Sequence, residues 1–262
     1  MRSYPDGTPI TDTNSNDLLS SVIEAAGGLE RFNKISAFSV QIHRTGSFFA
    51  LKGYTWPAHP RAYISTKTPR VTFHNFGGKN DSHDLRWIWT PQRIWKETPD
   101  GTVIESQDDP GKTLFEGHDL RTPWDDLHVL YFSGYALWNY FMAPFYFTWR
   151  EIKTKELEPV DYHGQKWRVL EVTYPDDFPT HCRTQEYFFD DAFHLRRLNY
   201  SVEIAPGGIA KHYCFDERMV SGVLVPHLRR VVTEKGTFEG NPSAVLINFE
   251  DLKVREEGEA KL

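Results

Sequence analysis

The run Trp124-Asp125-Asp126-Leu127-His128 is the best acid/base constellation in the chain. On a helix, Asp125 and His128 lie three positions apart and share a face. A carboxylate beside an imidazole orients the ring and favours its charged form, which suits proton transfer. The same acids also suit a helix N-terminus, which would leave His128 as a polar rim residue. A second constellation is Thr180–Tyr187, where strand alternation puts His181, Arg183, Gln185 and Tyr187 on one face. That face can hold an oxygenated ring through charge-assisted hydrogen bonds, or it is an exposed strand face. Nearby runs place His212 with Cys214, and His227 with Arg229, by the same alternation. Burial of this His–Arg face would favour catalysis, and its exposure to solvent would favour simple carriage.

Aromatic side chains supply a wall for such groups. The chain has 8 Trp, 12 Tyr and 18 Phe. Tyr131, Tyr135, Trp138 and Phe141 recur at helical spacing, and Trp87 and Trp89 share one strand face. Each stripe reads more readily as core than as pocket lining, and their surplus over one packing face leaves enough aromatics to line an apolar pocket as well. We therefore expect the largest cavity to be walled by the helix 124–142 and by Trp87 or Trp89. Glycine-rich nucleotide loops, nucleophile elbows and zinc-helix motifs are absent, and the 11 histidines are scattered. No metal or cofactor is expected.

The elements that position these residues are mostly strands. Asn16 can cap a first helix over 17–26, stopped by Gly27-Gly28, and Leu29–Ile35 forms a second helical turn. From Ala37 the period becomes two. Short runs follow at Ser47–Gly53, Ala62–Thr66, Val71–Phe76, Asp84–Thr90, Arg93–Glu97 and Thr102–Ser106, divided by turns such as Trp56-Pro57 and Gly77-Gly78. Thr122 as cap, Pro123 and the two aspartates begin a helix that Pro144 ends. It is apolar nearly all round, so it belongs inside. Strands resume at Thr148–Glu156 and continue to Ala244–Lys253, with a turn at Gly240–Pro242. The expectation is a mainly β single domain over 17–254, between flexible ends 1–16 and 255–262. A long antiparallel sheet of this size curls into a strongly curved sheet or barrel, and the aromatic helix is its plug or lid.

Composition narrows the class further. The net charge is −6 with neutral histidine, and no basic run is present. This argues against nucleic acid and against anionic lipid surfaces as partners. Two cysteines, Cys182 and Cys214, are read as buried free thiols rather than a scaffold. Val129–Trp149 carries no charge and is long enough to span a bilayer, but its tyrosines, Asn139 and Pro144 suit a buried helix followed by a strand. The polar start, Met1–Asn16, shows no secretory pattern, so we expect a cytoplasmic protein.

The layout resembles the LolA-like, or lipoprotein-carrier-like, superfamily. The stretches AAGGLERF, TPWDDLHVLYFSGYALWNYFMAPF, THCRTQEYFFD and VPHLRR are similar to an uncharacterised cytosolic microbial branch of it. The resemblance implies an N-terminal helix, helices in or across the mouth, and a curved antiparallel sheet of about eleven strands, a size at which open sheets curl. A second resemblance is to fungal tropolone–sesquiterpene hetero-Diels–Alderases. It implies a cofactor-independent enzyme of natural-product biosynthesis, which dehydrates its substrate to a quinone methide and adds that across a terpenoid double bond. In that reading Asp126, His128, His181 and Arg183 carry the proton and oxygen chemistry. Trp87, Trp89, Tyr131, Tyr135, Trp138, Tyr187, His212 and Arg229 bind a small hydrophobic substrate. The alternative is a non-enzymatic carrier or sensor of a lipid or terpenoid, which needs the walls but no acid/base pair. The sequence leans to the enzyme.

Overall fold

The computed structural model describes residues 17–54, 59–77, 84–233 and 243–259. The chain opens with helices α1 (Asp17–Ala25) and α2 (Leu29–Asn33), strand β1 (Ile35–Thr45) and helix α3 (Ser47–Leu51). A meander follows: β2 (Arg61–Ser65), β3 (Val71–His74), β4 (Arg86–Trp89), β5 (Arg93–Glu97) and β6 (Val103–Asp108). Helices α4 (Pro110–Thr113) and α5 (Asp126–Met142) and a 3-10 turn (Phe145–Thr148) then intervene. The second meander is β7 (Lys153–Tyr162), β8 (Gln165–Thr173), β9 (Thr184–Phe189), β10 (Leu195–Ser201), β11 (Ile209–Val220), β12 (Val223–Thr233) and β13 (Val245–Glu256).

These strands form one antiparallel 13-stranded sheet, in the order β6-β5-β4-β3-β2-β1-β13-β12-β11-β10-β9-β8-β7. The two meanders meet where β1 pairs with β13, Ile42 facing Phe249. Because β6 and β7 are opposite edges, the connection between them has to cross the sheet. That places α5 on one face, packed over β2 to β5. Register shifts in β1, β5, β7 and β10 add local twist, which curves the sheet around the helix. The main core lies between α5 and this concave face, and a small second cluster of Trp167, Val169, Phe188, Tyr213 and Val232 packs on the convex side.

Among the described residues the strands number 13 rather than about eleven, and the sheet they form is open rather than a closed barrel. Closure would pair β6 with β7. Both are edge strands rich in charge, and β7 carries Pro159 within a bulge, features that resist pairing. The expected strand Ser47–Gly53 is instead helix α3. Phe48 and Phe49 are adjacent and both touch Phe132, which strand alternation would forbid. The expected strand Thr148–Glu156 is delayed, because the 3-10 turn occupies its start and β7 begins at Lys153.

The cap of helix α5 lies three residues after the expected one. Thr122 spends its hydroxyl on the Asp119 carboxylate (2.8 Å). The cap is Asp125, which accepts from the His128 amide at 3.0 Å. Gly134 is the one position where α5 meets the sheet without room for a side chain: a Cβ there would lie 2.2 Å from Trp89 Cγ. Cys182 and Cys214 are buried and unbonded. No helix among the described residues is long and apolar enough to cross a membrane. Asn16, the turns at Trp56-Pro57, Gly78 and Gly240–Pro242, and the end 1–16 lie outside the described residues. Strand β13 runs past the expected boundary at 254, to Glu256.

Candidate functional site

The cavity on the concave side has a volume of about 40 Å³ and lies between α1, the last turn of α5 with the 3-10 turn, and strands β9 to β12. Val22, Phe141, Phe147, Tyr187 and Val225 are among its lining residues, with His194 and Glu217, and Arg229 enters it from β12. At ~10–15 Å³ per water, it holds a few waters and no larger apolar molecule without side-chain movement.

Trp87 and Trp89 do not line this cavity. Trp87 stacks on Phe76 at 4.7 Å, with Lys96 4.9 Å from its ring centre. Trp89 is fully buried against Gly134 and Trp138. Tyr131 faces Gly111, and the Trp138 indole donates to the Ser65 carbonyl at 3.1 Å. These four residues are packed core. Of α5, only the last turn reaches the cavity, through Tyr140 and Phe141.

Behind the cavity runs a ladder of hydroxyls and imidazoles. Tyr135 Oη lies 3.0 Å from His181 Nδ1, and Tyr140 Oη lies 3.5 Å from His181 Nε2. Tyr200 stacks on His181 at 4.1 Å, and its hydroxyl is 3.2 Å from His212 Nδ1. Burial holds His181 down to about 3. His212 is pushed well below the usual range by burial, by the Arg229 charge and by His181. Both rings are therefore neutral at physiological pH. Burial pushes Tyr140 up to about 12, although Arg229 and a bond from Tyr200 pull it down. A second hydroxyl chain, Tyr146, Tyr174 and Tyr187, with spacings of 3.0 and 2.7 Å, ties the 3-10 turn to β9 and to the residue that follows β8.

Arg229 is 1% exposed. Its Nη1 meets Cys214 Sγ at 3.4 Å, and its guanidinium carbon sits 4.5 Å from the Tyr140 ring centre. Its Nε is buried without a partner, as is His212 Nε2. Burial pushes the Cys214 thiol up against the pull of Arg229.

The expected acid/base groups occupy four neighbourhoods. Asp126 accepts from the Tyr54 hydroxyl and from Lys96 Nζ at 3.0 Å. His128 is a capping-box residue, with Nδ1 2.6 Å from Asp125 and Nε2 2.9 Å from the Leu114 carbonyl. Asp125 is held below the usual carboxylate range, because its bonds from the His128 side chain and amide outweigh its own desolvation. His181 is buried in the ladder, whereas Arg183 is 62% exposed and pairs with Asp176 at 2.5 Å. The shared face expected for His181 and Arg183 does not exist, because β9 begins only at Thr184 and alternation fails before it. Gln185 and Tyr187 do share a buried face. His212, Cys214, His227 and Arg229 are also buried, but β10 separates β9 from β11.

Tyr140 and Tyr200, central to the ladder, were not singled out by sequence. No local spacing marks them; the alternation of β12, where Val223, Val225, His227, Arg229 and Val231 all face inward, marks Arg229 instead. An arginine on such a stripe is anomalous. Among the described residues, no three His, Cys, Asp or Glu side chains gather as a metal would require.

No protein-family model matches the chain, and no curated protein matches its sequence. Its fold is similar to solved structures. A LolA-superfamily protein from Nitrosomonas europaea has a TM-score of 0.51 and 11% identity, covering 91% of this chain and 94% of that one. A domain assigned to outer-membrane lipoprotein sorting in Vibrio parahaemolyticus has a TM-score of 0.54 and 11% identity, covering 93% and 95%. At this identity the likeness shows the fold alone.

Proposed function

We propose that this chain binds a hydrophobic ligand, a lipid or terpenoid, as a carrier or sensor, in the space bounded by α1, the end of α5 and strands β9 to β12. The observation that carries this reading is the apolar-walled cavity at the end of the plugging helix. The fold shared with a lipoprotein-sorting domain supports it. The His–Arg face whose burial was expected to favour catalysis is split, with His181 buried and Arg183 exposed, so it does not gather the groups of a proton-transfer site. General acid–base work needs a group whose pKa lies near the operating pH, and His181 at about 3 is a neutral hydrogen-bonding group. Arg229 is a permanent cation.

The test is titration with Nile red, a neutral dye that brightens in apolar surroundings. We expect saturable binding, displaced by unlabelled lipid, and weakened about tenfold (~1.4 kcal/mol) by Val225→Phe, which fills the cavity. Thermal melts of the variant check its fold. Absence of saturable binding to the wild type sinks the proposal, and an unchanged affinity in a folded Val225→Phe moves the site elsewhere.

A further inference from the structure

A guanidinium with almost no exposure needs a reason to be there. Isolated buried charges are strongly disfavoured, and buried arginines ordinarily pair with carboxylates. Among the described residues Arg229 has no ion pair; its polar contact is the Cys214 thiol, a weak acceptor. Glu217, the acid that also lines the cavity, is committed to Arg196 at 2.6 Å, and that guanidinium also holds Asp190 at 2.6 Å. Arg229 therefore brings unsatisfied donors and a full charge to a cavity whose other walls are mostly apolar. His212 Nε2 is a second unpartnered buried atom, on a ring set perpendicular to the Tyr140 ring with centres 5.0 Å apart. If His212 Nδ1 accepts from Tyr200, Nε2 carries the hydrogen and adds a donor.

We propose that the ligand is an anionic amphiphile, a long-chain carboxylate whose head pairs with Arg229 beneath Tyr140 and whose chain runs along the Phe141–Phe147 and Val223–Val225 walls. The inference rests on the hydrophobic-binding reading and deepens it. A carboxylate supplies the acceptor oxygens that Arg229 lacks, and a planar guanidinium binds it with two parallel bonds. The existing volume of about 40 Å³ suits a head of a few heavy atoms. The chain enters by displacing the apolar side chains around it. Phenylalanine and valine walls that move lose dispersion contacts and regain them against the ligand.

The experiment compares cis-parinaric acid, a fluorescent long-chain carboxylate, with its methyl ester at pH 8. Both are titrated into the wild type, Arg229→Met and Arg229→Lys. We expect the acid to bind the wild type about ten- to a hundredfold more tightly than the ester, the range of a charge-assisted hydrogen bond. Arg229→Met should bring the two ligands to parity, and Arg229→Lys should keep part of the preference. Equal binding of acid and ester to the wild type overturns the anionic head while leaving hydrophobic binding intact. Binding of neither ligand overturns the hydrophobic-binding reading itself. An undiminished preference in folded Arg229→Met also overturns the role of Arg229. Should that variant fail to fold, the wild-type preference and its reduction in Arg229→Lys decide the matter.

Discussion

The concave face has two halves built from the same kinds of residue and used differently. Over β2 to β5, α5 presses so close that only glycine fits opposite Trp89. Trp87, Trp89 and Trp138 are there buried as packing. Over β9 to β12, the aromatic residues include tyrosines whose hydroxyls meet imidazoles, and an arginine without an ion pair stands among them. Aromatic content alone therefore does not mark a site. The distinction lies in whether a charge is left over, because a buried nitrogen without a partner occurs in both halves, Trp89 Nε1 in the first and His212 Nε2 in the second. The first half holds the fold together, and the second holds the cation that has something left to bind.

The largest expected effect tests the first half. Trp89→Ala removes an indole from a region with no free space, and large-to-small changes of this type cost ~3–5 kcal/mol. Urea unfolding should show a midpoint lowered accordingly. If the loss is below ~1 kcal/mol, the two halves do not differ in the way argued, because that figure belongs to loosely packed sites. Any folded fraction of this variant should still show the wild-type preference between acid and ester, since Trp89 does not line the cavity.

The second half should show itself through pH. His181 has its folded value lowered to about 3 by burial, so between the ordinary histidine value and about 3 the unfolded chain binds a proton that the folded one refuses. Stability is therefore full above the unfolded value, near 6.5, and falls as pH is lowered towards 3. The slope is ~1.4 kcal/mol per pH unit for each such histidine, and His212, shifted in the same direction, adds to it. His181→Gln, measured by chemical unfolding from pH 7 to pH 4.5, should remove one histidine's share of the slope. An unchanged slope would mean that His181 protonates readily in the folded protein and that the ladder is open to water.

Much of this arrangement was legible in the sequence, and the failures have physical causes. Strand runs bounded by turn signals survive nearly everywhere, because a period of two against one buried face leaves little freedom. Helix α5 was legible from its composition and from Pro144, but not its first residue, since Thr122 and Asp125 are both capping types and only the Asp119 turn decides between them. Helix α3 was missed because adjacent phenylalanines need neighbours from α5 to show which way both turn. At the site, alternation singled out His212, Tyr187 and Arg229. It did not find Tyr140 and Tyr200, which reach the ladder from α5 and β10, a helix–sheet meeting that no local spacing encodes.

The smallest expected effect sharpens the comparison most cheaply, because it sets two arginines against each other. Arg183 and Arg229 look alike in sequence, each in a strand-like run with a histidine two positions before it. Arg183 lies outside β9, more than half exposed, and its partner Asp176 is more exposed still. Two exposed ions in contact are screened by water and lose side-chain entropy on pairing, so such pairs contribute ~0–1 kcal/mol. Arg183→Ala should then change the unfolding midpoint little, and the acid-over-ester preference not at all. If it instead abolished that preference, the binding group would belong to the exposed end of the 180–187 run. The buried half of the concave face would then be only a second core.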